Sequence, residues 1–146
     1  MPASILKLFF SLIFFLQLCL IGWSDYKTML IPNKYILFLA MTGVLSIPFF
    51  PEITLLQRLL GMICISVPML LITLLIPGGF GGGDIKLMAA AGLFLGFTGT
   101  VKAFVIAVLF GGVYAIWLML AKKADRKAAF AFGPFLCLGM IFSIFL

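Results

Sequence analysis

The chain of 146 residues holds four carboxylates and no histidine, so any acid–base chemistry falls on few groups. The missing histidine removes His-zinc sites, Ser-His-Asp triads and Cys-His dyads. Glu52, between prolines 48 and 51 and the next apolar run, reads as a solvated loop charge. Asp125, inside Lys122–Lys123–Ala124–Asp125–Arg126–Lys127, reads as part of a solvated charge cluster. Asp25 and Asp84 stand apart. The first closes an apolar run in Ser24–Asp25–Tyr26–Lys27, and the second opens another in Gly81–Gly82–Gly83–Asp84–Ile85–Lys86. Two carboxylates that meet in a partly desolvated place do not both ionise readily and share a proton. One then activates water while the other polarises a peptide carbonyl, the two-carboxylate route to peptide hydrolysis.

Other readings of these residues stay open on spacing alone. Asp84 fits a helix N-cap behind a flexible glycine turn, and Asp25 fits an interfacial charge paired with Lys27. If both flank helices, Asp84 meets the positive end of a helix dipole and Asp25 the negative end of another. That argument makes Asp25 the expected holder of a shared proton, with Lys86 favouring ionised Asp84. Ser24 and Lys27 do not make a nucleophile and base, because nothing around Lys27 buries it. Gly78–Gly83 lacks the strand and the GK[ST] ending of a phosphate loop. Cys19, Cys64 and Cys137 are odd in number, form no CxxC and have apolar neighbours, so they read as small buried hydrophobes. No metal and no cofactor are expected.

The elements that must position the two aspartates follow from composition. The chain is 65% hydrophobic and 10% charged, with a mean hydropathy of +1.35. Soluble domains run about 45–50% apolar and about 25% charged, so lipid is the solvent here. Six uncharged runs predict an all-α polytopic membrane protein with six transmembrane helices, over 5–24, 34–50, 55–77, 84–98, 101–121 and 129–146. A single membrane-embedded domain, 1–146, is expected. The first run ends without an A-x-A-like cleavage site, so it reads as a retained helix with Trp23 and Tyr26 as interfacial anchors. The short fourth run beside Pro77–Gly83 is where irregular backbone at membrane depth would mark a site.

Orientation follows from Lys and Arg. With six spans, Lys27, Lys34, Lys86, Lys122, Lys123, Arg126 and Lys127 share one face, and Lys7, Arg58 and Lys102 the other. The richer face is expected in the cytoplasm, which places Asp25 and Asp84 there and both termini outside. The net charge of +6 then sets orientation, and no nucleic-acid partner is expected.

Three stretches resemble the type IV prepilin peptidases, membrane aspartyl proteases of the GxGD type. Gly81–Gly82–Gly83–Asp84–Ile85–Lys86 resembles GxGDxK, and Asp25 with Ile31–Pro32–Asn33 resembles the first catalytic aspartate and its IPN turn. Phe132–Gly133–Pro134–Phe135–Leu136–Cys137–Leu138–Gly139 resembles the stretch that opens the last helix. The resemblance implies an aspartic-type endopeptidase of the bacterial inner (plasma) membrane, a multi-pass hydrolase acting in pilus biogenesis and protein secretion. Its partner would be a prepilin or pseudopilin precursor, cut at the cytoplasmic face before its apolar N-terminal helix. Asp25 and Asp84 would be catalytic. Gly81 and Gly83 would let substrate approach the backbone, Pro32 would end the loop, Asn33 would cap the second helix, and Lys86 would complete the motif.

The chain departs from long family members, which carry an N-terminal cysteine-containing region and also methylate the new pilin end. Methyl transfer is therefore not expected, and the chain resembles short forms that serve tight-adherence (Flp-type) pili. Ala131 and Cys137 replace a Pro and an Ala in the last motif. Two rival classes remain: a small ion or solute transporter with both aspartates lining a pathway, and a non-catalytic membrane subunit of a secretion machine.

Overall fold

The computed structural model describes residues 2–121 and 132–146. The Asp125 cluster, with Lys122, Lys123, Arg126 and Lys127, lies outside the described residues, as do Ala131 and the expected helix start at 129. The described residues fold as helices joined by short turns, with no strand among them. The protein is an all-α membrane protein. α1 (Ala3–Thr28), the stretch Leu55–Leu75 and α5 (Gly82–Leu120) are each long and apolar enough to cross a bilayer. α2 (Asn33–Leu45) and α6 (Gly133–Phe145) are apolar but shorter.

Local chemistry sets the boundaries. α1 runs four residues past its expected end and stops at Met29, whose backbone is left-handed (φ 55°, ψ 25°). The Met29 N–H donates to the Asp25 carbonyl at 2.8 Å. The Ser24 hydroxyl donates to the Leu30 carbonyl, and the Lys27 ammonium sits 4.7 Å from the centre of the Trp23 ring, so both serve the turn. α2 ends sooner than expected, in a 3-10 turn over Ile47–Phe49. Pro48 disfavours helix at the residue before it and brings no N–H of its own. The expected third helix is two, α3 (Leu55–Cys64) and α4 (Ser66–Leu75), meeting at Ile65. Pro68 explains the break, because it offers no N–H to the carbonyl of Cys64. Thr54 and Gln57 start α3 with a reciprocal capping box.

The expected fourth and fifth helices are the two parts of α5 (Gly82–Leu120), separated at Gly96, whose backbone is not helical (φ 73°, ψ −178°). As one straight rod α5 would be roughly 58 Å long, about twice the hydrocarbon thickness, so this break decides how it fits a bilayer. The Thr100 hydroxyl donates to the Gly96 carbonyl at 2.6 Å and closes the corner. Before the corner, Gly92 packs backbone to backbone against Gly61 of α3, so tightly that a Cβ on Gly92 would strike the Gly61 carbonyl. Beyond it, Gly139 of α6 lies equally close to Ala103. Small residues let helix backbones meet where lipid offers no hydrophobic drive for association.

Arg58, counted above among the orienting charges, is buried in the structure. It sits in the first turn of α3, 1% exposed. Its guanidinium donates to the carbonyls of Leu93 (2.7 Å) and Gly43 (3.3 Å) and to the Ser46 hydroxyl (3.1 Å). Five fixed donors suit it to bind several carbonyls at once. It ties the end of α2 to the last turn of α5 before the Gly96 corner. On the same side of the bundle, Lys7 and Glu52 form an ion pair at 2.8 Å.

Candidate active site

Each aspartate projects from the buried face of its helix. On α1 the buried residues are Phe14, Leu18, Ile21 and Asp25, a 4-3-4 spacing that keeps them on one face. The first part of α5 buries Asp84, Leu87, Met88 and Ala91, again one face. Asp25 is 6% and Asp84 9% exposed. The two lie close enough for their charges to repel each other, and Cys137 of α6 is buried beside Gly22 of α1.

Gly81, in extended conformation, precedes the first turn of α5, and no side chain caps that end. The N-cap reading of Asp84 is therefore set aside: its carboxylate does not close the helix. It turns back toward Gly81, whose Cβ would stand 3.4 Å from Oδ2. Gly82 faces open space. Gly83 is covered by Ile31, which would lie 3.1 Å from a Cβ there. The Ile31–Pro32–Asn33 turn thus packs directly on the glycine segment that carries Asp84.

Pro32 occupies the N-cap of α2 in extended conformation. Asn33 does not cap α2, which corrects its expected role. It is the first helical residue, and its Oδ1 accepts from the Lys86 ammonium at 3.3 Å. Lys86 therefore bridges α5 to α2 and makes no ion pair with Asp84 among the described residues. An open groove of about 480 Å³ runs beside this bridge, between Lys34, Ile36, Leu37 and Ala40 of α2 and Lys86.

Asp25 Oδ2 accepts the backbone N–H of Gly133 at 2.9 Å, a buried bond. Its carboxylate thus faces the first turn of α6, the positive end of a helix dipole. The argument from the negative end of α1 does not describe this carboxylate. Gly133 was quoted above without a role; a Gly-Pro pair opening a helix was the available signal. At the same end, the rings of Phe80 and Phe132 are 6.2 Å apart. No group of three His, Cys, Asp or Glu side chains gathers among the described residues to hold a metal.

A model of the type IV leader peptidase family matches residues 12–116, a span that holds Asp25, the Ile31–Pro32–Asn33 turn and Asp84 but stops short of Gly133. A prepilin leader peptidase/N-methyltransferase of Bacillus subtilis (strain 168) is 31% identical over 140 residues, covering 93% of this chain and 55% of its own length. One of Xanthomonas campestris pv. campestris is 43% identical over 61 residues, 41% of this chain and 21% of its own length. The chain thus spans about half the length, or less, of these curated relatives. No solved structure matches.

Proposed function

The chain belongs to the type IV leader peptidase family, and from that membership we propose that it is a membrane aspartic endopeptidase cutting the leader from type IV prepilin-like precursors. The observation that carries the reading is that two buried carboxylates, Asp25 and Asp84, come from separate helices to within reach of each other's charge at one end of the bundle. One carboxylate takes a proton from water as its oxygen attacks the scissile carbonyl carbon. The other, protonated, gives its proton to the carbonyl oxygen. Collapse of the tetrahedral species breaks the C–N bond: the departing amine takes the proton that the first carboxylate drew from water, and a hydroxyl of the tetrahedral carbon returns its proton to the second. The Lys86–Asn33 bridge and the contact of Ile31 on Gly83 support positioning roles for the surrounding motif residues.

The substrate we favour is an Flp-type or other pilin or pseudopilin precursor, whose apolar helix enters from the bilayer. The site faces the cytoplasm, on the lysine-rich side, with both termini outside and the two parts of α5 serving as separate spans in a six-helix bundle. Supporting this topology, Lys27 follows Asp25 on α1 and Lys86 follows Asp84 on α5, with Lys34 at the start of α2, whereas Lys7 lies at the far end of α1. Methyl transfer is not part of the proposed activity.

Co-expression with a prepilin from the same genome, read as a size shift on a gel, tests the proposal. Wild type and Asp125→Asn are expected to process the precursor, and Asp25→Asn and Asp84→Asn to leave it intact. Processing by either of the latter overturns the pair. No processing by any form, with protein present and several pilins tried, turns the reading toward a transporter or scaffold.

A further inference from the structure

The first turn of α6 has one backbone donor left over, and the chain spends it on Asp25. Pro134 has no N–H, and the N–H groups of Phe135 and Leu136 both donate to the Phe132 carbonyl, at 3.0 and 3.2 Å. The Gly133 N–H remains, and it donates to Asp25 Oδ2. The same residue leaves no room for a side chain, because a Cβ on Gly133 would overlap the Asp25 carboxylate. One residue earlier, Phe132 lies against Phe80, on the segment that leads through Gly81 to Asp84. Phe132 also fills the space above Gly111 of α5, where a Cβ would stand 2.8 Å from its ring.

We infer that Phe132–Gly133 is a positioning element for both aspartates, Gly133 fixing the orientation of Asp25 through its N–H and Phe132 bracing the glycine segment that carries Asp84. With Oδ2 engaged by Gly133, Oδ1 of Asp25 is the oxygen left for water and for the partner carboxylate. Neither residue touches the reacting atoms; each acts through an aspartate. The inference rests on the two-aspartate reading for its catalytic consequence, while the geometry itself is readable without turnover.

The test uses the full chain in detergent, labelled with ¹⁵N-glycine, beside a cleavage assay on a purified precursor. The Gly133 amide is expected to shift with pH, and Asp25→Asn is expected to abolish that shift. Gly133→Ala is expected to lower kcat by about 10²-fold, the scale of an ångström of misplacement, with KM little changed. Phe132→Ala is expected to lower kcat, and Phe132→Tyr to restore it. A Gly133 amide indifferent to Asp25→Asn overturns the inference, as does a wild-type kcat in Gly133→Ala or Phe132→Ala. If Gly133→Ala does not fold, the amide resonance in the wild-type background decides. Wild type that cuts no precursor, with a Gly133 amide that does report Asp25, refutes the protease reading and supports the positioning geometry.

Discussion

Asp25 and Gly133, 108 positions apart in the chain, are joined by a buried hydrogen bond of 2.9 Å from the Gly133 N–H to Asp25 Oδ2. The bond links the last turn of α1 to the first turn of α6. Donor and acceptor are both buried, so loss of the bond is felt in stability as well as in geometry.

Replacing Asp25 therefore separates two effects. Asp25→Ala leaves the Gly133 N–H without a partner and is expected to destabilise the protein by about 1–3 kcal/mol. Asp25→Asn keeps an acceptor oxygen and is expected to melt close to wild type. Thermal unfolding of the purified protein in detergent compares them. Equal melting of the two variants contradicts the role given to this bond.

The α3–α5 crossing makes a steric prediction. Gly92→Ala places a Cβ against the Gly61 backbone, where neither backbone can give way cheaply. Overpacking of this kind destabilises by about 1–3 kcal/mol. Gly82→Ala, facing open space, is expected to stay within about 0.5 kcal/mol of wild type. Thermal melts of the pair check the difference, and similar melts would refute the close crossing.

Arg58 gathers the Gly43 and Leu93 carbonyls and the Ser46 hydroxyl on one guanidinium. Arg58→Met removes its bonds to Gly43, Ser46 and Leu93 together. Hydrogen bonds from a charged group are worth about 1.5–3 kcal/mol each at most, with strong non-additivity. Arg58→Lys supplies one point charge in place of a planar fork and is expected to fall between Met and wild type. Urea or thermal unfolding of the three forms tests that order.

Glu52 gives a pH dependence with a definite sign. The bond from Lys7 holds its carboxyl below the ordinary value of 4.5. A depressed folded value means the contribution is complete above about 4.5 and is lost as pH falls through the folded value. The group is on the surface, so the effect is small and screened by salt. Melting temperature from pH 7 to pH 3 is expected to drop more in wild type than in Glu52→Gln. An equal drop in both forms removes the ion pair from the account.

The apolar runs announced the helices because a charge is costly in lipid, but they could not announce where helices end. Tyr26–Lys27–Thr28 is polar, yet α1 continues through it, because side chains at a membrane interface reach water while the backbone stays helical. That extension places Asp25 on the Phe14–Leu18–Ile21 face and not in a loop, and the 4-3-4 spacing was there to be read. The boundary expected between residues 98 and 101 falls a little earlier, at Gly96, where the backbone leaves the helical region.

Long-range partners were hidden for a different reason. Arg58 counts in the sequence as an orienting charge, since nothing local says that Gly43 and Leu93 bring carbonyls to it. Asn33 had the residue type of a cap, but Pro32 took that position and freed the amide for Lys86. Gly133 is the clearest case: its role depends on a carboxylate that only the packing of α6 on α1 delivers.

The most direct measurement is turnover of a purified precursor by this chain in lipid nanodiscs, with product identified by mass and the two single variants run in parallel. The account predicts cleavage at one leader junction by wild type, and a fall of at least about 10³-fold in kcat for both Asp25→Asn and Asp84→Asn, as expected when members of one catalytic unit are removed. Wild-type turnover by either variant would contradict it.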